Sequence, residues 1–526
     1  MATEKEKVAP STDAEIRLQK LWNKVLNIDT DKIGAEDSFF RLGGDSLDAM
    51  HLSNLAQTSG VQLTVANIFK YPSLAAMAKK IEAVGQETVD EIEPFSILQE
   101  TQTFDTIFAA AIEQCGVHRS EIEDIYPCTP LQVEFMQNSL AHPGYFSIQF
   151  IYSFADDLDL ERLRRAWDVV AASNAVLRTR IIQSSSCFYQ VVMKSPDSCD
   201  IAQNLESYLS QDMNKPLGLG QQLTRCAIVN EDKTGKRYWI WTTHHATYDG
   251  WSRQLLLTEL QRAYRDSTPS IERVKFNNYV RYVTQRDLSD ADSFWHTQLT
   301  GSTSKPFGTW PASYQPAAKS TLRYDISYSE KTSLDVTIPT ILQAAWAVTV
   351  ANSIHSNEVT LKLTLTGRNA PISGIEQMMA PTATTVPHRL RVDEKQHTHR
   401  FLHNIQKWWA EVSQFEHIGW HRIRSLSNDA ATACDAAMPI VIHPQTGSSS
   451  TELQFDSARL FRAAPCQFLM DCYLTEAGVA VSVYFDDIVF GAGEMQRLLA
   501  RFGFVFEQMC RAGPEHRLQD IPVGEL

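Results

Sequence analysis

RYWIWTTHHATYDGWSRQLLLTELQRAY, residues 237–264, is the stretch from which the fold of this chain is read. Residues 237–243 are aromatic and β-branched, the composition of a buried strand. Two histidines close it, Asp249 and Gly250 follow, and from 252 to 265 leucines recur at helical spacing. Successive strand residues face opposite ways, so one of His244 and His245 is expected in the interior and the other at a cleft. Gly250 is expected to permit a sharp turn that returns Asp249 to the strand end. Histidine titrates near neutral pH and suits proton transfer. Asp249 either orients His245 directly or pairs with an arginine to hold the loop. The pattern alone also fits a satisfied core histidine. Two histidines lack the third protein ligand of a zinc site, so no metal is expected.

Working outward, strand-like and helical runs alternate on both sides. Residues 145–154, 178–182 and 189–193 read as strands and 160–173 as a helix. Beyond 265, helices are expected at 290–299, 329–353 and 492–510, and strands at 359–366, 439–443 and 479–484. This predicts two α/β units with a border near 270–290.

The beginning of the chain differs. Residues 11–84 predict a small all-α bundle. One helix carries Ile16, Leu18, Leu21, Trp22, Val25 and Leu26; another begins at Leu42-Gly43-Gly44-Asp45-Ser46; a last one starts after Tyr71-Pro72-Ser73. A serine at a helix start, behind two glycines, is exposed near the positive end of the helix dipole and suits a phosphate ester, although serine also caps helices routinely. Residues 85–120, acidic and polar at first and helical from 103 to 114, read as a linker.

The stretch DSFFRLGGDSLDAMHL (37–52), inside a four-helix unit, resembles the peptidyl carrier domains of modular synthetases. The resemblance implies 4'-phosphopantetheine on Ser46, attached by a phosphopantetheinyl transferase. HHATYDGWS with the helix behind it resembles the condensation domains of nonribosomal peptide synthetases, relatives of chloramphenicol acetyltransferase. Five further stretches resemble that family's motifs in order: IYPCTPLQVEFM (125–136), NAVLRTRI (174–181), FNNYVRYV (276–283), MMAPTATTVPHRLRV (378–392) and VYFDDIVFGAGEMQRLL (483–499). The family implies a carrier at 11–84, a linker at 85–120, and two lobes, 121–280 and 281–526, forming a V with a tunnel that ends at His245. It implies His245 as the catalytic histidine beside His244, Gly250 as a loop-shaping residue, and Asp249 as a structural partner of Arg178, with Arg180 the alternative. Thr247, Trp251 and Ser252 either line the site or pack and cap.

The implied chemistry is aminolysis of a peptidyl thioester carried on Ser46, with His245 as general base or as a positioning and charge-stabilising group. The carrier comes first, and no acceptor carrier follows within the sequence. The expectation is therefore attack by the peptide's own amine and release of a macrocycle, as in the terminal condensation-like domains of fungal synthetases such as the fumiquinazoline type. Tyr264 resembles a position in that group, whereas His244 stands where many members have serine. Alternatives are an elongation condensation domain cut from a longer enzyme, an epimerase and a recruitment module.

Bulk composition agrees. The 526 residues carry a formal net charge of −14, which disfavours nucleic-acid binding. Nine scattered cysteines favour reduced thiols over a disulfide framework. With no signal-like N-terminus and no long apolar run, a cytoplasmic protein free of membrane contact is expected; a monomer is expected too, and the resemblance implies upstream synthetase modules as partners.

Overall fold

The computed structural model describes residues 7–523 apart from 84–90, 100–103, 155–158, 232–234, 267–273, 312, 329–335, 444–452, 463 and 476. Residues 103 and 329–335, where the sequence predicts helix, lie outside the described residues.

Helix α1 (Asp13–Leu26) begins with a reciprocal cap: Thr12 Oγ1 accepts from Glu15 N at 3.2 Å, and Glu15 accepts from Thr12 N at 3.0 Å. Its Leu18, Leu21 and Trp22 share one face and are buried with Phe39, Leu52, Ile68 and Met77. Helices α2 (Ser46–Thr58), α3 (Val65–Lys70) and α4 (Leu74–Ala78) complete the bundle. The two shorter helices start at Thr64 and Ser73, whose hydroxyls accept from Asn67 N and Ala76 N.

The first α/β lobe holds a five-stranded sheet in the order Leu453–Leu460, Ser147–Phe154, Arg237–His244, Thr224–Asn230, Asp200–Ala202. A three-stranded sheet, Ile122–Pro127, Cys187–Met193, Thr179–Ser184, lies beside it. Trp167 from the helix Leu160–Ser173 meets Trp239, and Trp241 stacks on Phe150, all buried. The aromatic run at 237–243 is thus the middle of a covered sheet.

The second lobe is built on six strands in the order Ser320–Ser327, Gly478–Phe485, Phe468–Thr475, Met438–His443, Glu358–Leu365, Thr384–Arg391. Leu361, Leu363, Ile440, Met470, Cys472, Val481 and Val483 alternate onto one face and pack with the buried helix Ile338–Ser353 and the helix Ala492–Arg511.

Two features depart from the sequence reading. The strand Leu453–Leu460 comes late in the chain yet pairs antiparallel with Ser147–Phe154 in the first lobe's sheet. A register shift between Phe455 and Ser457 breaks its period-two alternation, which hides it from pattern reading. Cys199 and Cys226 are bonded sulfur to sulfur, an exception to the expected reduced thiols, while the other seven cysteines are free. Parallel pairing of Asp200 with Ala227 sets the two cysteines side by side, although they are 27 residues apart in sequence. Among the described residues no helix is long and apolar enough to cross a membrane, and no cluster of His, Cys, Asp and Glu has the makings of a metal site.

Candidate active site

The two histidines diverge as strand geometry requires. His244 is fully buried. Its Nδ1 accepts from Ala246 N at 3.1 Å, so Nε2 carries the proton and donates to Ser139 Oγ at 2.8 Å; Ser139 in turn donates to Tyr145 O. Burial pushes its pKa down to about 3. His244 is a neutral structural group.

His245 is half-buried. Its ring stacks on Tyr248 with centroids 4.5 Å apart and leans on Phe135 at 4.9 Å. Nδ1 lies 3.0 Å from Tyr248 O. A carbonyl only accepts, so Nδ1 bears the hydrogen and the lone pair belongs to Nε2. Burial lowers the basicity of the ring, opposed by hydrogen bonds to the backbone and by the charges of Asp249 and Asp471. The result is a neutral imidazole in a fixed tautomer with one free basic nitrogen. Gln132 braces the turn from below, donating to Ala246 O at 2.9 Å.

Asp249 does not touch His245 by hydrogen bond. It is buried and accepts from Ser252 N at 2.7 Å, Thr382 N at 3.0 Å and Ala383 N at 3.2 Å. Its cationic partner is Arg368, 3.6 Å away and also buried. This corrects the pairing expected with Arg178, which is engaged on Glu123 at 2.6 Å and on Met193 O. Arg180 reaches Cys115 O and Asp197. Arg368 also donates to Ile375 O, Met378 O and Ala380 O, so it organises the segment that crosses from the second lobe. In that segment Ala370, Ile372, Ile375, Met378, Met379 and Ala380 pack into the first lobe's core. Asp249 therefore ties the histidine loop to the other lobe.

Gly250 is not in the left-handed region, and a Cβ built there meets only His443 Nδ1, at 3.8 Å. The expected sharp turn is not what this position needs; glycine leaves space facing His443. Ser252 caps the loop through Asp249, and Thr247 is packed against Thr243, so neither lines open space. Tyr264 stands 14 residues further along the helix Gly250–Asp266, accepting from Asp159 N under the Arg162 guanidinium, about 21 Å from Gly250 at 1.5 Å per residue. It is remote from His245.

Ser46 is the first residue of α2; its side chain lies outside the described residues. The turn before it is tightly built. Gly43 has φ 101°, and a Cβ on Gly44 would fall 2.5 Å from the Phe39 ring and 2.8 Å from Phe39 O. Asp45 and Asp48 cap each other's backbone N–H at 2.9 and 3.1 Å. A helix of 13 residues thus opens at Ser46 from a fixed, glycine-shaped turn, which fits a phosphate ester there.

The carrier bundle sits on the histidine loop. Trp251 packs on its core, with the His51 ring edge-on at 6.3 Å. Thr366 Oγ1 meets Met50 Sδ at 3.4 Å, and Asn54 donates to Glu376 at 3.0 Å. Trp251 Nε1 donates to Glu376 O at 2.8 Å, and Arg368 lies over its ring at 5.4 Å. A single chain of contacts runs from α2 through Trp251 and Arg368 to Asp249.

Comparison with known proteins follows the same division. Residues 122–516 match the family model "Condensation domain", and residues 17–81 match "Phosphopantetheine attachment site". The chain belongs to the condensation-domain family and carries a phosphopantetheine carrier domain ahead of it. It is 33% identical over 529 residues to the nonribosomal peptide synthetase ungA' of Aspergillus campestris, covering 98% of this chain and 6% of that protein. To the nonribosomal peptide synthetase SIDD of Beauveria bassiana it is 33% identical, covering 96% of this chain and 28% of that protein. To imqB of Aspergillus flavus it is 37% identical over 431 residues, covering 81% and 13%. The chain thus spans less than a third of the length of these curated relatives. A crystal structure described as holo T3CT shares the fold at TM-score 0.65 and 19% identity, covering 81% of this chain and all of that one. The starter condensation domain of the rhizomide synthetase RzmA shares it at TM-score 0.62 and 12% identity, over 76% of this chain and all of that one.

In this carrier–condensation didomain, several groups at the site escape sequence reading. Arg368 stands in a polar stretch, TGRNA, with nothing local to mark its partner. Trp251 looks like a packing residue, yet half of its role lies toward another domain. Glu134 and Lys362 form an ion pair across the two lobes at 2.7 Å, with Lys362 also over the Trp420 ring. That contact joins residues 228 positions apart.

Proposed function

We propose that this didomain forms an amide by attack of an amine on a peptidyl thioester tethered at Ser46, and that the amine belongs to the same peptide, so that a macrocycle is released. The observation that carries the first part is the seating of α2 on Trp251, Thr366 and Glu376, at the edge of the loop that presents His245. Ser46 lies one turn before Met50, about 6 Å along the helix. The phosphopantetheine arm would hold the acyl group as a thioester and supply the departing thiol. His245 then accepts a proton from the amine at Nε2, because Nδ1–H is committed to Tyr248 O. Asp249 and Arg368 fix the loop and take no part in proton transfer.

The closed junction beside the helix Pro130–Ala141 supports the intramolecular part. Glu134 and Lys362 clasp across the lobes, and Gly419 fits so tightly over Pro130 that a Cβ would fall 2.4 Å from it. The cavity left there is about 10 Å³, barely enough to seat one water. A second, separately tethered substrate entering from this side must part that pair. An amine arriving with the acyl chain need not.

The test is to attach a peptidyl-phosphopantetheine to Ser46 of the full chain and identify the product by mass spectrometry. A cyclic peptide and free thiol are expected. A stable peptidyl carrier that yields product only with a second aminoacyl carrier supports an elongation domain instead, and an epimerised peptide still attached supports an epimerase.

A further inference from the structure

The second lobe's sheet is polar on the face opposite its core. In register, Val441 pairs with Asp471 and His443 with Tyr473, while Asp471 pairs with Ser482. With period-two alternation, Lys362, Thr364, His443, Asp471, Tyr473 and Ser482 share that face, whereas Leu363, Ile440, Met470 and Cys472 go to the core. Central strands of a sheet covered on both faces read as apolar throughout. Here the polar side chains are half-buried or exposed, so this face is only partly covered: Lys362 meets Glu134 of the first lobe, while Tyr473 is exposed.

One cluster on it points at the histidine loop. His443 lies flat on Tyr473, ring centroids 4.2 Å apart and planes 5° from parallel. Its Nε2 is 3.6 Å from Asp471 Oδ1, beyond hydrogen-bond reach, and is buried with no hydrogen-bond partner. Its Nδ1 faces Gly250, where the absent side chain leaves the approach clear. Asp471 is near enough for its charge to act on His245. Tyr484, Cys472 and, from the helix Gly250–Asp266, Arg253 also act on this cluster. The chain thus places a second imidazole, with a carboxylate beside it, on the other lobe and facing the histidine loop at Gly250.

We propose that His443, backed by Asp471, receives the attacking amine on the second-lobe side of the cleft. This rests on the amide-forming reading above. Two imidazoles then divide the work. His443 accepts a hydrogen bond from the incoming amine and orients its lone pair toward the acyl carbon, with the Asp471 carboxylate favouring a partial positive charge on nitrogen. The new C–N bond forms as the C–S bond breaks. One proton leaves the amine for His245 Nε2 and passes to the departing sulfur, so the products are an amide and a thiol and no further reactant is needed.

The experiment uses the full chain with the arm on Ser46 loaded with an N-acetylated peptide, which has no amine of its own, and glycinamide as the nucleophile in solution. Wild type, His443→Gln and Asp471→Asn are compared by the dependence of amide formation on glycinamide concentration, with unfolding midpoints measured alongside. Both substitutions are expected to raise the KM for glycinamide at least tenfold, whereas His245→Gln lowers kcat. If His443→Gln does not fold, Asp471→Asn carries the test. Unchanged KM and kcat, within twofold, in variants whose wild type makes the amide would overturn the role of His443 and leave the amide-forming reading standing. A wild type that is loaded but makes no amide, with glycinamide or from a peptide bearing its own amine, overturns both.

Discussion

The carboxylate of Asp249 lies 3.6 Å from the guanidinium of Arg368, both withdrawn from solvent, while Arg178 is turned away onto Glu123. The pair joins the histidine loop of one lobe to the crossing segment of the other. Removing one partner leaves an uncompensated buried charge, which costs about 3–5 kcal/mol. A double-mutant cycle of Asp249→Asn with Arg368→Met is therefore expected to show a coupling above about 1 kcal/mol in denaturant unfolding. The same cycle with Arg178→Met is expected to be additive within about 0.5 kcal/mol.

Trp251 supports the carrier rather than the reaction. Its ring packs on the carrier core, and its Nε1 holds Glu376 O. Trp251→Ala is expected to slow amide formation from the Ser46-tethered peptide at least tenfold, and to change the rate with a free peptidyl-pantetheine thioester much less. Comparing the two substrates under single-turnover conditions checks this; equal losses contradict it.

Gly44 has no room for a methyl group, since Phe39 would lie 2.5 Å from it. Gly44→Ala is expected to destabilise the carrier bundle by roughly 1–3 kcal/mol through overpacking. It should also slow attachment of the arm to Ser46 by a phosphopantetheinyl transferase. Calorimetry of the carrier transition and mass spectrometry of the attached arm read the two effects.

Three imidazoles in the condensation domain are buried neutral: His244, His388 and His417, each with its pKa pushed down to about 3 by burial. Unfolded, each binds a proton near pH 6.5. Below that pH the unfolded state holds more protons than the folded one, so stability falls on acidification by up to ~1.4 kcal/mol per pH unit per group. Glu416, raised to about 8 by burial, acts oppositely: its contribution is complete below its unfolded pKa and is lost as pH rises through 8. Three groups outweigh one between pH 6.5 and 4.5. The main condensation-domain transition is expected to move to lower temperature from pH 7 to pH 5; an unchanged or raised midpoint contradicts this.

Local patterns made much of the fold legible. The run at 237–243 gave a strand because aromatic and β-branched residues pack on both faces of a covered sheet, and α1 was legible from the spacing of Leu18, Leu21 and Trp22. Strand alternation also separated His244 from His245. What stayed hidden depends on residues distant in sequence. Arg368 meets Asp249 only because the chain crosses between lobes, whereas the family resemblance pointed to Arg178. The strand Leu453–Leu460 was obscured by its bulge. His443 carries no local signal, since its significance comes from register with Tyr473 and from the empty space at Gly250.

The most direct measurement loads Ser46 with a peptidyl thioester and follows a single turnover in wild type and in His245→Ala, with attachment confirmed in both. Wild type should convert the tethered peptide to an amide, and His245→Ala should keep it on the carrier, at least a hundredfold slower and equally loaded. Equal rates in the two proteins would remove His245, and the delivery of the tethered acyl group to it, from the mechanism.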